Sequence, residues 1–305
     1  MAEIERRMNS HRDIDTGNLR VEEYRRFTDG LAVEGIDREF EIRPRPVPEK
    51  IRPWISRLVK VVRLREVRAL VGFTRIDPPG FPGAPNVASL SAGGVRGWLP
   101  AVEVRGEGIF LELNAATLAD WESQATVRAR AALLDTRRQA EFVQRYGADA
   151  PPPPTLTARF LMIHTFAHAL MRQLTLDCGY SSTALRERLY VGADPAMAGL
   201  LIYTASSDDD GTLGGLQRQG DPERIGRTVL AALHAQAWCS SDPLCIEDML
   251  TSEDSLSLAA CHSCVLAPET SCEEFNRYLD RALLVGTPGA PELGFFQTLL
   301  RGADV

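Results

Sequence analysis

The feature that most constrains this chain is a group of cysteines close together in sequence. Five of the six cysteines lie in the last quarter of the 305 residues: Cys239, Cys245, Cys261, Cys264 and Cys272. Cys261 and Cys264 have C-x2-C spacing, in which a short turn carries both sulfurs toward one cation. A tetrahedral zinc site needs four such ligands, usually given as two pairs from separate loops. The segment therefore predicts a structural zinc site, with buried free thiols or disulfides as the alternative.

The segment offers more candidate ligands than the four positions of a tetrahedral site, namely the five cysteines and His262. The preferred set is Cys245, Cys261, Cys264 and Cys272, with Cys239 as the substitute.

Composition limits the protein class. The net charge of −7 argues against a dedicated nucleic-acid surface, where a basic excess is usual, although a local basic groove is compatible with it. There is no run of about eighteen apolar residues, so no membrane span is expected. Residues 1–20 are charged and lack the apolar core of a signal peptide. These features predict a cytoplasmic protein, and in a reducing compartment clustered cysteines bind metal more often than they pair.

Proline-rich segments predict the domain organisation. Residues 43–48 contain three prolines and cannot hold a helix or a central strand, so an extended linker is expected. The four prolines at 151–154 predict a stiff spacer and an internal boundary. We therefore expect an N-terminal mixed region over residues 1–150, with the linker and a long helix, and a second domain over residues 151–305. The predicted fold is α/β of the mixed α+β type, a small sheet flanked by helices with a C-terminal cysteine-rich zinc-binding element.

Hydrophobic patterns predict the individual elements. Residues 59–68 favour a strand or a short helix, and residues 200–204 favour a strand. Residues 99–113 predict a hairpin, with Gly106 and Gly108 between its two strands. Helices are expected at 114–147 (with Asn114 as N-cap), 156–176, 182–188, 222–238, 272–284 and 294–300.

Two histidines lie one helical turn apart in the predicted helix 156–176. His164 and His168 share one helix face, a spacing that suits a metal ion. The zinc-protease motif needs Glu directly after the first His, but Thr165 stands there, so we reject that function. The alternative is a pair of histidines that line an interhelical contact and bond to the backbone.

An acidic, glycine-containing loop follows the predicted strand 200–204. In open α/β sheets such strand ends are where ligands bind. Asp208 and Asp210 are candidate Mg²⁺ ligands, and Gly214 and Gly215 allow close backbone approach. A solvated acidic loop is the alternative.

Basic residues recur between positions 60 and 75. The candidate contacts to DNA phosphates or to an acidic partner are Lys60, Arg63, Arg65, Arg68 and Arg75. A solvated strand edge is the alternative. The chain contains no Walker motif, protein-kinase motif set or nucleophile elbow, so we expect no ATP hydrolysis by this chain alone.

Several segments resemble the domain of unknown function 1998, a family found beside or at the end of bacterial DExH-type helicases. The matching segments are HTFAHAL (164–170), CGYSS (178–182), LRER (185–188), GLLIYTA (199–205), GTLGGL (211–216), ACHSC (260–264), PETSC (268–272) and residues 276–286. Within that family the chain looks most like the B subunits of the DISARM antiphage system, which residues 19–24, 63–68 and 72–76 also fit. Those subunits are much longer, and this chain resembles their C-terminal half.

The resemblance implies a non-motor partner of a helicase that acts on foreign DNA. It implies that the cysteines are zinc ligands, and it marks the two histidines and the glycine loop as family positions without an established role. The function predicted is a zinc-binding accessory subunit of a helicase-containing, DISARM-like antiphage complex. The alternative is a metal-dependent nuclease or hydrolase that uses His164, His168 and the loop from Asp208 to Asp210.

Overall fold

The structure is a computed structural model that describes residues 16–29, 39–70, 72–73, 88–89, 98–194, 196–204, 215–247 and 256–302. The strands among these residues are β1 (Glu41–Arg45), β2 (Ile55–Ala69), β3 (Gly72–Phe73), β4 (Ala88–Ser89), β5 (Ala101–Leu113), β6 (Leu185–Ala193) and β7 (Ala196–Thr204). The helices are α1 (Thr16–Thr28), α2 (Ala115–Glu122), α3 (Ala125–Tyr146), α4 (Ala158–Cys178), α5 (Gly215–Gln219), α6 (Pro222–Gln236), α7 (Ala282–Val285) and α8 (Gln297–Arg301). The mixed α+β fold with a sheet flanked by helices is confirmed.

A five-stranded sheet in the order β1-β2-β5-β7-β6 forms the centre of the described residues, and its neighbouring strands are antiparallel. Side chains alternate between its two faces, as strand geometry requires. Ile109 and Leu111 of β5 belong to the larger core beneath α4. Phe110 between them packs on the opposite face, with Phe27 of α1 stacked on it. Both faces of the sheet therefore carry buried side chains.

The sheet joins segments from both sides of the proline spacer. β5 pairs with β7, with Phe110 opposite Leu201. The division into regions 1–150 and 151–305 stays a prediction.

The helix predicted over 156–176 is confirmed as α4. Thr157 caps its N-terminus by accepting a hydrogen bond from the Phe160 amide. Gly179 ends it in the left-handed conformation, with φ of 74°. α4 packs against β6, β7 and α6, and the chain is buried continuously from residue 161 to 171. A helix that is buried all round lies in the interior, so its polar residues must find partners there.

The predicted hairpin over 99–113 is wrong, because these residues form the single strand β5. A Cβ added to Gly106 would lie 2.0 Å from the Thr204 carbonyl oxygen, and one on Gly108 would lie 2.7 Å from the Ile202 carbonyl oxygen. The two glycines therefore allow β7 to approach closely, and they do not form a turn.

Two further element predictions are corrected by strand pairing. Residues 43–45 of the expected linker belong to the strand β1, which pairs with β2 alone among the described strands. Such an edge strand tolerates Pro44, because prolines within sheets are confined to edge strands. Residues 185–188 are not helical but begin β6, because pairing with β7 outweighs their local helix propensity.

The helix predictions near the cysteines and after Asn114 are only partly right. Asn114 does cap α2, but the expected long helix breaks at residues 123–124 before α3 begins. Of residues 272–284, only those in α7 are α-helical. Phe275, Asn276 and Tyr278 adopt positive φ values, which interrupt a regular helix. The helix predicted at 222–238 is α6, with Asp221 at its N-cap position.

Among the described residues, none of the helices combines the length and the apolar character needed to cross a membrane.

Candidate metal centres

The first candidate metal centre is a group of four cysteines, hereafter the four-cysteine centre. It consists of Cys239, Cys245, Cys261 and Cys264, whose sulfurs all lie within 4.8 Å of one another. The Cys239–Cys261 sulfur distance is 3.4 Å, the Cys261–Cys264 distance 3.6 Å and the Cys245–Cys264 distance 3.8 Å. Four sulfurs at about 2.3 Å from a zinc ion would stand about 3.8 Å apart, so the geometry suits a tetrahedral site.

The loop that carries Cys239 and Cys245 is organised by one carboxylate. Asp242 accepts hydrogen bonds from the Cys239 amide at 2.8 Å and from the Ile246 amide at 3.1 Å. The same carboxylate pairs with Arg281, which is fully buried and also donates to the Gln236 carbonyl oxygen at 2.8 Å. Arg281 thereby fixes the cysteine loop to the end of α6.

The second cysteine pair sits on a turn that α4 supports. Arg172 of α4 donates to the Ser263 carbonyl oxygen at 3.0 Å. Within the turn, the Cys261 amide donates to the Cys264 sulfur at 3.2 Å. On the other loop, the Ser241 amide donates to the Cys239 sulfur at 3.4 Å. Amide donors of this kind favour thiolates over thiols.

Burial disfavours the thiolate form of two members of the four-cysteine centre, Cys245 and Cys264. Burial raises the pKa of Cys245 to about 11 and raises the pKa of Cys264 well above its ordinary value. Burial also raises the pKa of Cys261, but hydrogen bonds from Cys239 and Cys264 outweigh it and lower that pKa to about 6. Since thiolates are the zinc-binding form, bound zinc would replace the remaining thiol protons.

The structure groups the candidate ligands differently from the preferred set. Cys272 does not join the other cysteines but belongs to a second group, so the substitute Cys239 completes the four-cysteine centre. Spacing along the chain could not separate the two, because residues 272–281 turn back across the molecule, where the Leu258 amide donates to the Leu279 carbonyl oxygen.

The second group, hereafter the mixed-donor cluster, consists of His164, His168, Glu187 and Cys272, all buried. The His164 Nε2 atom lies 3.2 Å from the Cys272 sulfur and 3.2 Å from Glu187 Oε1. The His168 Nε2 atom lies 3.6 Å from Glu187 Oε1. The expectation that the two histidines share one face of α4 is correct, and that face meets β6 and the 269–272 segment.

The ionisable groups of the mixed-donor cluster strongly shift one another's pKa values. Burial lowers the pKa of His164, but the Glu187 carboxylate and Cys272 outweigh it and raise that pKa to about 10. For His168 the same balance raises the pKa to about 8. Burial raises the pKa of Glu187, whereas the two histidines hold it well below its usual range.

Comparison with known proteins supports the metal assignment. The family model of the MrfA Zn-binding domain matches residues 166–265. That range includes every member of the four-cysteine centre, whereas His164 and Cys272 lie outside it. The chain is also 36% identical over 296 residues to a curated protein of Bacillus paralicheniformis. That relative is the DISARM protein DrmB.

The similarity to the DISARM protein DrmB covers 96% of this chain and 52% of that relative. This chain thus spans about half the length of the curated relative. The resemblance to DISARM B subunits is confirmed, while the assignment to the domain of unknown function 1998 stays a prediction.

The basic residues proposed to contact DNA differ in their burial and in their ion pairs. Lys60 is buried and pairs with Asp221 at 2.8 Å, so it is not available to a DNA phosphate. Arg65 pairs with Glu103 at 2.5 Å, and Arg68 pairs with Glu66 at 2.7 Å. Arg63 is exposed. Arg75 lies outside the described residues.

The acidic loop falls almost wholly outside the described residues, including Asp208, Asp210 and Gly214. Gly215 is described and begins α5. A Cβ added to Gly215 would lie 2.7 Å from the Tyr180 hydroxyl oxygen, so the glycine permits a close packing contact.

Sequence reasoning missed Glu187, the acidic member of the mixed-donor cluster. Had residues 185–189 been recognised as a strand, the alternation of Leu185, Glu187 and Leu189 would have revealed a carboxylate on an apolar face. Glu187 and Cys272 also line a cavity of about 650 Å³ that Arg26, Arg65 and Arg186 border.

Proposed function

We propose that this chain is a zinc-binding, non-motor subunit of a helicase-containing antiphage complex that acts on foreign DNA. The observation that carries the proposal is the four-cysteine centre, which lies inside the range matched by the MrfA Zn-binding domain. The similarity to the DISARM protein DrmB over 96% of the chain supplies the biological setting. The helicase and DNA enter as partners through the family resemblance.

In this proposal the chain acts as a scaffold. Zinc, when bound, supplies a closed cross-link with no open position for a substrate. The residues around it hold the end of α6, the 239–245 loop and the 261–264 turn in one arrangement, through Asp242, Arg172 and Arg281. A surface fixed in this way suits docking of a partner subunit, because little ordering entropy remains to be lost on binding.

The proposal is tested by phage challenge of cells that carry the complete defence system. Wild-type chain and Cys178→Ser should protect equally, because Cys178 belongs to neither metal cluster. Cys264→Ser should lower protection by more than tenfold and reduce co-purification of the helicase. Full protection by Cys264→Ser, or no helicase recovered with the wild-type chain, would contradict the proposal.

The alternative hydrolase function stays a prediction. It requires the two histidines and the Asp208–Asp210 loop to meet at one ion. Among the described residues the histidines converge on Glu187 and Cys272, and the Asp208–Asp210 loop lies outside that part of the chain. Metal-dependent nuclease activity of purified chain that His168→Asn abolishes would favour the alternative.

A further inference from the structure

The mixed-donor cluster contains buried polar atoms without hydrogen-bond partners. They are His164 Nδ1, His168 Nε2 and Glu187 Oε2. Buried polar groups in folded proteins are almost always paired, so three such atoms in one cluster need an explanation. A bound ion is one of the recognised explanations for such an atom, and an ion in this cluster would pair His168 Nε2, the orphaned nitrogen that faces Glu187 Oε1.

The hydrogen bond of His168 Nδ1 determines whether the Nε2 atom, which faces the cluster, carries a proton. His168 Nδ1 lies 2.9 Å from the Val265 carbonyl oxygen. A carbonyl oxygen can only accept, so Nδ1 carries the proton. A neutral imidazole with its proton on Nδ1 directs the lone pair of Nε2 inward, toward Glu187. Metal-binding histidines typically have this arrangement, in which a backbone carbonyl holds the other ring nitrogen.

The other donors are held in metal-binding form by backbone amides. The Cys272 sulfur accepts from the Glu274 amide at 3.3 Å and from the Asn276 amide at 3.2 Å. Two amide donors to one sulfur stabilise a thiolate. Glu187 Oε1 accepts from the Glu273 amide at 3.1 Å, which orients the carboxylate.

We propose that His164, His168, Glu187 and Cys272 form a second zinc site, distinct from the four-cysteine centre. For a tetrahedral zinc with nitrogen, oxygen and sulfur ligands at about 2.0–2.3 Å, the donor atoms stand about 3.3–3.6 Å apart. The measured separations of 3.2, 3.2 and 3.6 Å are close to these values. Two imidazoles, one thiolate and one carboxylate are a donor set typical of zinc.

A metal-free ionic network explains the cluster less well. In such a network both histidines would be protonated, with Glu187 and Cys272 as counterions. The His168 Nε2 proton would then face Glu187 Oε1 at 3.6 Å, which is too long for a hydrogen bond. The two imidazolium rings would also repel each other, since their centroids are 4.8 Å apart.

Four protein donors complete the tetrahedron, so the site is structural and leaves no position for a catalytic water. It links α4, β6 and the 269–272 segment, which come from separate parts of the sequence. The cavity of about 650 Å³ lined by Glu187 and Cys272 provides an entry path for the ion.

The experiment measures zinc per folded chain after purification in zinc-supplemented, chelator-free buffer. Wild-type chain should contain two zinc ions. His168→Asn should contain one, because asparagine can keep a donor toward Val265 while it removes the Nε2 ligand. Cys264→Ser should also contain one, the Cys264→Ser/His168→Asn double variant none, and the control Cys178→Ser two.

Cobalt substitution of the wild-type chain gives a readout that does not depend on variant folding. Five thiolates bound to Co²⁺ should give near-ultraviolet charge-transfer absorption that Cys272→Ser lowers by about a fifth, since each thiolate contributes. One metal per wild-type chain, with the spectrum of a single four-thiolate site, would overturn the proposal. Two metals per chain that His168→Asn and Cys272→Ser leave unchanged in the folded state would overturn it as well.

Discussion

Asp242 controls the local geometry of the four-cysteine centre, although it is not one of the candidate ligands. Its carboxylate holds the amides of Cys239 and Ile246 and neutralises the buried Arg281. Groups that orient metal ligands raise the metal affinity, because ligands that are already held in place lose less conformational freedom when the ion binds.

We predict that Asp242→Asn weakens zinc binding although it removes no candidate ligand. The amide keeps one oxygen for the backbone donors but loses the charge that balances Arg281. Zinc affinity, measured by competition with a coloured chelator, should fall about 10–100-fold. Asp120→Asn, at an exposed position of α2, should leave affinity unchanged. Equal affinities for the two variants would show that Asp242 does not position the site.

The membership of the two candidate metal centres was only partly predictable from the sequence. The C-x2-C spacing identified Cys261 and Cys264, because two residues are enough for one turn to bring both sulfurs together. The assignment of Cys239 and Cys272 was not predictable, since it depends on the path of residues 272–281 through space. Glu187 was missed because its segment was expected to be helical.

Two glycines of β5 allow the neighbouring strand β7 to approach closely. Gly106 and Gly108 lie where β7 comes closest, and side chains there would meet backbone oxygen atoms. The sequence alone favoured a turn at these positions, because glycine permits both and only the position of β7 distinguishes them.

We therefore expect Gly106→Ala to destabilise the fold by about 1–3 kcal/mol, since the backbone of β7 would have to shift. Gly289→Ala is the matched control, because a Cβ there would meet nothing within 4 Å. Chemical denaturation followed by circular dichroism measures the free energy of unfolding of both variants. Similar values for the two variants would contradict the close approach of β5 and β7.

The arginines of β2 give a second prediction at the element scale. Charge reversal of Arg63, Arg65 and Arg68 to Glu should weaken DNA binding by the chain in its complex, similarly across sequences, because phosphate contacts carry no base information. It should also lower the salt dependence of binding. Lys60 is left out of the set because it is buried with Asp221.

Matched controls for this charge reversal are Arg159→Glu and Arg277→Glu. Each of these arginines also pairs with a carboxylate, Glu122 or Glu141, on a different part of the molecule. If the triple variant binds DNA as the controls do at several salt concentrations, the β2 arginines form only a solvated edge.

Across the whole molecule, long-range contacts join the regions on either side of the proline spacer. β5 pairs with β7, and Arg130 of α3 forms a bidentate, buried ion pair with Asp280 at 2.6 and 3.0 Å. The sequence predicted the elements of each region better than these contacts, because pairing between distant segments leaves no local pattern.

This architecture predicts one cooperative unfolding transition. Arg130→Met should destabilise the whole chain by about 3–5 kcal/mol, because it leaves the Asp280 carboxylate buried and unpaired. The Arg130→Met/Asp280→Asn double variant should recover part of that loss. Differential scanning calorimetry that resolves two independent transitions in the wild-type chain would contradict the prediction.

Zinc at the four-cysteine centre underlies the proposed scaffold role, and anomalous diffraction at the zinc edge would show the ion itself. Crystals of the chain purified without added metal should show an anomalous peak at about 2.3 Å from the sulfurs of Cys239, Cys245, Cys261 and Cys264. No peak at that position, with the four cysteines joined as disulfides or left as separate thiols, would show that the four-cysteine centre does not bind zinc.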